Sequence, residues 1–166
     1  MRNEKLKQTT LAAVLIAMTV GLSIMFVIPV PATKGMVTLC EVGIYTSAIL
    51  FGGPVGGMVG AGSGFLIDIL SGYPEWCLFS LVIHGLQGLA VGYFTSEQTK
   101  SLKTMLLPLL IGSAIMVVGY YFATALLFGW PAGLASIVGN LVQVGFGMVV
   151  TLSIVESLVK FKPNLV

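Results

Sequence analysis

Apolar stretches of about the length that crosses a lipid bilayer recur along almost the whole chain. A membrane-spanning helix needs roughly 20 apolar residues. Six such runs can be counted, at residues 10–27, 36–51, 54–70, 77–94, 106–128 and 132–159. They lack the alternation of apolar and polar residues that the strand of a membrane barrel requires. Only 8% of the residues are charged and 57% are apolar. We therefore predict an all-α integral membrane protein, in which residues 1–166 form one domain of six transmembrane helices.

The basic residues indicate how these helices are oriented. Lys and Arg close to membrane segments are retained on the cytoplasmic side. Three groups of them fall on one side of a six-helix arrangement, and Lys34 alone falls on the other; the groups are Arg2, Lys5 and Lys7, then Lys100 and Lys103, then Lys160 and Lys162. We expect both termini in the cytoplasm. The net charge of +2 then reflects the membrane topology and does not indicate binding to nucleic acid. We expect no cleaved signal peptide, because the first run is long and lacks a small-residue cleavage site.

Several functional classes are disfavoured. The phosphate-binding pattern G-x-x-x-x-G-K is absent, so the chain is not its own ATPase. Ser63 in "GAGSGF" and His84 resemble the dyad of an intramembrane serine protease only weakly, because Ala61 stands where that pattern needs Gly. A single histidine argues against a metal site, and we expect no metal, cofactor or catalytic residue. Cys40 and Cys77 are interpreted as small buried residues, although both fall near outer helix ends.

Polar side chains inside the apolar runs mark a candidate binding pocket. Such residues are costly in a membrane and normally face protein or a water-filled cavity. They occur as pairs three or four residues apart, so each pair shares a helix face. With the aromatic residues at the same outer side, we predict a pocket that opens outward; its candidate substrate-binding residues are Glu41, Tyr45, Trp76, His84, Gln87, Trp130, Asn140 and Gln143.

Each of these residues also has a structural interpretation. Trp76, Trp130 and Tyr73 suit the aromatic belt at a membrane surface. His84, Asn140 and Gln143 suit hydrogen bonds between helices. The sequence does not decide between these structural roles and ligand binding. Glu41 is the candidate that we favour most for direct binding, because it precedes a short apolar run.

Asp68 follows a ladder of glycines on the third run. Gly56, Gly60 and Gly64 recur every fourth residue, a spacing that lets helix backbones approach closely in lipid. Asp68 continues this step towards the protein interior near the outer surface. We favour a role in bracing the loop "SGYPEW" through backbone amides over direct contact with a ligand.

Residues 34–94 resemble the S components, the substrate-binding membrane subunits of energy-coupling factor (ECF) vitamin transporters. The resemblance is carried by "LFGGPVGGMVGAGSGF", "DILSGYP" and "IHGLQGLAVG", and in outline it extends over all six helices. It implies high-affinity vitamin binding in a bacterial plasma membrane. It also implies two kinds of partner, a membrane scaffold called the T component and two cytoplasmic ATPases that supply the motor.

The same resemblance assigns a role to the first helix. Ala13 and Ala17 match the A-x-x-x-A pattern with which S components contact the scaffold, and they are alternatively explained by internal packing. S components are thought to topple in the membrane to carry the ligand inward. An autonomous small-solute carrier or a structural membrane protein is the other class of function that the sequence leaves open.

The charges suggest the kind of ligand. The outer half has no arginine, and Lys34 is its one cation, so carboxylate vitamins such as biotin and pantothenate are disfavoured. The stretch "YPEWCLFSLVIHGLQG" most resembles S components for hydroxymethylpyrimidine, the thiamine precursor, and vitamin B6. We predict hydroxymethylpyrimidine or pyridoxine as the ligand. Riboflavin is the next candidate, and it is ranked lower because its larger ring and ribityl chain need more space and more hydrogen-bond donors.

Overall fold

Six α-helices and one short β-hairpin make up the parts of the chain that the computed structural model describes, residues 2–95 and 102–161. Each helix overlaps one of the six predicted runs. Lys100 and Lys162, two of the residues used to predict the topology, lie outside the described residues. The helices are α1 Arg2–Met25, α2 Cys40–Phe51, α3 Gly53–Ser71, α4 Cys77–Phe94, α5 Leu102–Phe128 and α6 Trp130–Phe161. The hairpin strands are β1 Ile28–Val30 and β2 Gly35–Val37.

Five of these helices are long and apolar enough to cross a membrane, and α2 is the exception. Its 12 residues rise about 18 Å, whereas a hydrocarbon core is about 30 Å thick. The sequence prediction that this helix begins near Met36 is wrong. Residues 35–37 instead form β2, in which Met36 pairs with Pro29 of the antiparallel strand β1.

The tightest helix contact joins α3 to α4, and the predicted glycine ladder forms it. A Cβ atom added to Gly60 would collide with the backbone carbonyl oxygen of His84. A Cβ atom added to Gly64 would lie 2.7 Å from the His84 ring and 3.0 Å from the carbonyl oxygen of Ser80. The packing role predicted for the ladder is confirmed. Its consequence is that His84 is held against α3.

Helix α2 lies at the centre of the bundle and contacts α1, α3, α4 and α6. Its residues Ile44, Tyr45 and Ala48 are fully buried in the largest apolar cluster. A smaller cluster, which includes Ala12, Val55 and Val59, joins α1 to α3. A third cluster of buried apolar residues joins α4, α5 and α6.

The outward faces of the helices are apolar. Leu78, Leu126 and Val149 are each more than half exposed. Contiguous exposure of large apolar side chains is unfavourable in water and is what lipid requires. The fold is that of a multi-pass membrane protein.

Candidate functional site

A cavity lies between the hairpin and the half of the helix bundle that faces it. Its empty volume is about 640 Å³, a figure that includes the space at the open mouth. Side chains from the hairpin and from every helix except α1 reach its wall. The polar and aromatic members of the lining are Thr33, Thr38, Asp68, Trp76, His84, Tyr120, Thr124, Ser136, Asn140 and Gln143.

The hairpin forms the roof of this cavity and is fastened at several points. Trp76 Nε1 donates a hydrogen bond of 3.0 Å to the carbonyl oxygen of Lys34 at the hairpin turn. The backbone N–H of Thr38, after β2, donates to Gln143 Oε1 at 2.8 Å. Lys34 Nζ lies 5.2 Å from the centre of the Phe128 ring, close enough for a cation–π interaction. The roof is thus tied to the start of α4, the end of α5 and the middle of α6.

Lys34 itself adopts a left-handed backbone conformation, with φ of 49°. Such a conformation is uncommon for a residue with a Cβ atom. It turns the chain from the 3-10 turn Pro31–Thr33 into β2 and presents the Lys34 carbonyl to Trp76. The structure therefore explains the "PVPATKG" segment as a hairpin turn.

His84 is held by hydrogen bonds at both ring nitrogens. Its Nδ1 atom lies 2.7 Å from Gln87 Oε1, and its Nε2 atom lies 3.0 Å from the Tyr120 hydroxyl. Because an amide oxygen only accepts, Nδ1 carries a proton and donates to Gln87. In the neutral ring Nε2 then accepts from Tyr120, whose oxygen accepts from Ser80 at 2.5 Å. The ring is fixed in position with no nitrogen free for another partner.

The network continues from Gln87 into the core. Gln87 Nε2 donates to the Tyr45 hydroxyl at 2.9 Å, and Tyr45 lies 2.9 Å from Ser113 Oγ. Ser113 donates to the sulfur of Met148 at 3.4 Å. Tyr45 therefore donates to Ser113, and the chain of bonds links α4, α2, α5 and α6. Buried polar networks of this kind, when every member is satisfied, specify a single packing arrangement.

Glu41 lies behind the cavity wall. Its side chain is buried, and neither carboxylate oxygen has a hydrogen-bond partner among the described residues. Its Oε1 atom lies 3.8 Å from His84 Nδ1. Burying a carboxyl group without a hydrogen bond is costly, so Glu41 is a polar group beside the site that no described residue satisfies.

Asp68 lines the cavity and its backbone braces the loop. Its carbonyl oxygen accepts hydrogen bonds from the amides of Gly72 and Tyr73. Its carboxylate oxygen Oδ2 is buried and has no hydrogen-bond partner among the described residues. The sequence analysis assigned the bracing role to the side chain, whereas the structure gives it to the carbonyl group, because Gly72 ends α3 in a left-handed conformation that turns both amides back.

The structure brings most of the predicted binding residues together. Trp76, His84, Asn140 and Gln143 line the cavity, together with Asp68. Tyr45, Gln87 and Glu41 lie directly behind it and reach it through His84. Seven of the eight predicted binding residues, all except Trp130, therefore fall within one connected region of the bundle.

Trp130 is the predicted residue that the structure does not bring to the cavity. It is 61% exposed and contacts Tyr121 and Phe122 on the outside of α5, with ring centres 6.0 and 6.5 Å away. Gly129, with φ of 91°, is the one residue between α5 and α6, and this tight turn directs the first residue of α6 outward. The position suits the aromatic belt, which was the alternative interpretation.

Sequence reasoning missed residues of α5 and of the hairpin. Tyr120, Thr124 and Met116 line the cavity from α5, and Thr33 and Thr38 line it from the hairpin segment. Tyr120 could have been found by the criterion used for the other helices, since it is a polar group well inside an apolar run. The hairpin residues carried no comparable signal, because their strands are only three residues long.

Two further predictions concern residues outside the cavity. Ala13 and Ala17 are exposed on the outer face of α1, while neighbouring Ala12 is buried, so the internal-packing explanation of the pair is wrong. Ser63 is buried, and its hydroxyl has no hydrogen-bond partner in the part of the chain that the structure describes. It makes no dyad with His84, whose nitrogens contact Gln87 and Tyr120.

Comparison with known proteins places the chain in a family. A family model described as "ECF-type riboflavin transporter, S component" matches residues 3–160. A protein of Lactococcus lactis subsp. cremoris (strain MG1363), called thiamine precursor transporter HmpT, is 35% identical over 90% of this chain and 86% of its own length. An uncharacterized protein of Pyrococcus woesei is 37% identical over 74% of this chain and 82% of its own. The chain therefore belongs to the S components of ECF-type transporters and is a multi-pass protein of the cell membrane.

Proposed function

We propose that this S component binds hydroxymethylpyrimidine in the cavity under the hairpin and delivers it for uptake. The observation that carries the proposal is the electrostatic character of the cavity. Its described lining includes the carboxylate of Asp68 and no Lys or Arg, and Glu41 lies just behind the wall. Such a wall suits a ligand that offers N–H and O–H donors and disfavours a carboxylate. The name of the Lactococcus relative, a thiamine precursor transporter, supports the same ligand.

The aromatic and polar residues of the cavity suit the ring and the substituents of hydroxymethylpyrimidine. Its ring is an apolar plane with polar substituents, which fits a pocket that combines aromatic and apolar walls with a few polar groups. Trp76 and Tyr120 supply rings, with centroids 6.0 Å apart. Thr33, Ser136 and Asn140 supply polar atoms around them. Pyridoxine, a ring of similar size with hydroxymethyl groups, is the closest competitor.

Riboflavin is the second candidate, because the matching family model carries that vitamin in its description. Its three fused rings and ribityl chain need more space and more hydrogen-bonding groups than the pyrimidine does. We therefore rank it below the pyrimidine.

Transport requires partners, because the chain has no nucleotide-binding motif. We propose that a T component docks on the face of α1 that carries Ala13 and Ala17, and that two ATPase subunits hydrolyse ATP in the cytoplasm. The exposure of both alanines supports this, since small residues let another helix approach closely. We place both termini in the cytoplasm from the basic residues that flank α1, α5 and α6.

Uptake and co-purification test this proposal together. Cells that lack their own thiamine-precursor uptake are given this chain with or without a tagged T component and ATPases, and labelled hydroxymethylpyrimidine is followed. We expect uptake only with the complete set and co-purification of the chain with the tagged scaffold. Uptake by the chain alone, at the same rate, would make it an autonomous carrier.

A further inference from the structure

We propose that Asp68 and Asn140 contact the ligand directly and read a hydrogen-bond donor and a neighbouring acceptor on it. The site would thereby select an amino-bearing pyrimidine over the oxo analogue, in which a ring carbonyl replaces the exocyclic amine. This inference rests on the proposed function and assigns its specificity to two side chains.

Asp68 supplies an acceptor, Oδ2, that none of the described residues uses. The residue lies near the end of α3, is only 6% exposed and lines the cavity. The loop after α3 is held by the Asp68 carbonyl oxygen, so bracing the loop does not need the carboxylate. Its Oδ2 atom is buried without a partner among the described residues. An ionised carboxylate only accepts hydrogen bonds, and leaving one unpaired in a protein interior is unfavourable. A donor on the ligand would satisfy it.

Asn140 supplies a donor that is also unused. Its Nδ2 atom is buried without a partner in the described part of the chain, and the residue lines the same cavity from α6. Helix α3 packs on α1, α2 and α4, whereas α6 packs on α5 and α2. The two side chains therefore line the same cavity from different helices.

Several other polar groups of the wall already have protein partners. Both nitrogens of His84 are bonded to protein groups. Ser136 and Thr124 donate to backbone carbonyl oxygens of their own helices, and Gln143 Oε1 accepts from Thr38. His84 is accordingly a positioning residue that forms part of the cavity wall. The hydrogen bonds to the polar groups of the ligand are assigned to Asp68 and Asn140.

The pattern required of the ligand is specific. An exocyclic amine donates to the carboxylate, and the adjacent ring nitrogen, which has a lone pair, accepts from the Asn140 amide. In the oxo analogue the exocyclic oxygen accepts and the ring nitrogen carries a proton, so both polarities are reversed. A site built to hydrogen-bond a substrate N–H rejects an analogue that lacks it much more strongly than it rejects a change in size.

The test is a titration of the purified full chain in detergent with the amino pyrimidine and with its oxo analogue. We expect the unmodified protein to prefer the amine by at least about 30-fold, the scale of a hydrogen bond to a charged group. Asp68→Asn replaces an acceptor by an amide of the same shape that can donate. It should lose at least about 30-fold in affinity for the amine while retaining or gaining affinity for the oxo analogue. Ser63→Ala is the control on the same helix, outside the cavity lining, and should leave both affinities unchanged.

A change of preference separates ligand contact from a structural role, because a damaged fold weakens both ligands equally. Equal losses for the two ligands in Asp68→Asn, or equal affinities in the unmodified protein, would overturn the inference and leave the proposed function standing. If Asp68→Asn does not fold, Asn140→Asp supplies the second variant, and its affinity for the amine should fall by at least about 10-fold. Failure of the unmodified protein to bind the amino pyrimidine at all would overturn both the inference and the proposed function.

Discussion

The indole N–H of Trp76 reaches across the mouth of the cavity and donates to the backbone carbonyl of Lys34, 3.0 Å away. This bond joins the start of α4 to the turn of the hairpin that covers the site. The hairpin has only two short strands, and an isolated two-stranded hairpin is marginally stable. Its position therefore depends on such contacts with the helices.

Trp76→Phe keeps an aromatic side chain and removes this hydrogen bond. We expect ligand affinity to fall by about fivefold, the equivalent of one neutral hydrogen bond, chiefly through faster dissociation. Stopped-flow fluorescence of ligand release measures the effect. Trp130→Phe is the matched control, because Trp130 lies outside the cavity lining and is 61% exposed. A larger effect at Trp130 than at Trp76 would contradict the position of the site.

Tyr120→Phe removes the hydroxyl that contacts both His84 and Ser80. We expect unfolding in detergent at a lower temperature, because the His84 Nε2 atom loses its partner, which costs about 1–3 kcal/mol. Tyr121→Phe is the control on the next residue, whose hydroxyl is outside the network. Thermal unfolding followed by circular dichroism checks the prediction, and equal shifts for the two variants would show that the network adds nothing to stability.

Gly60→Ala places a Cβ atom against the carbonyl oxygen of His84 where α3 and α4 touch. We expect the protein to lose at least about 2 kcal/mol of stability, because two backbones must separate. Gly145→Ala is the control at an exposed position with open space around the glycine. It should gain about 0.5 to 1 kcal/mol from better helix propensity. Opposite signs for the two substitutions are the result to look for in denaturation curves, and equal signs would count against a close α3–α4 contact.

Ala13→Trp and Ala17→Trp test the proposed scaffold contact. The bulky ring should prevent close approach of another helix, so co-purification with the T component should fall several-fold while ligand affinity stays constant. Ala135→Trp, at an exposed alanine of α6, is the control and should retain assembly. Normal assembly of both α1 variants would move the docking surface elsewhere on the protein.

The helices could be predicted because their apolar runs are long, but the start of α2 could not. Residues 35–37 are as apolar as the helix that follows, apart from one glycine, and hydropathy does not distinguish a short buried strand from a helical turn. What separates them is the pairing of Met36 with Pro29, a contact between segments. The hairpin and its contribution to the site were therefore missed.

The polar pairs within one helix could be predicted, because helical spacing fixes which side chains are neighbours. His84 and Gln87 were expected to share a face, and the 2.7 Å bond between them confirms it. The rotation of each helix about its axis is set by packing against the other helices. The spacing of residues along one helix does not determine it. That is why Trp130 was expected in the cavity, and why the carboxylate of Asp68 was assigned to the loop.

Calorimetric titration of the purified chain with hydroxymethylpyrimidine tests the central claim most directly. The account predicts tight binding of one ligand per chain, competition by pyridoxine at higher concentration, and no heat from biotin or pantothenate. Tight binding of biotin or pantothenate, with none of the pyrimidine or pyridine alcohols, would contradict it.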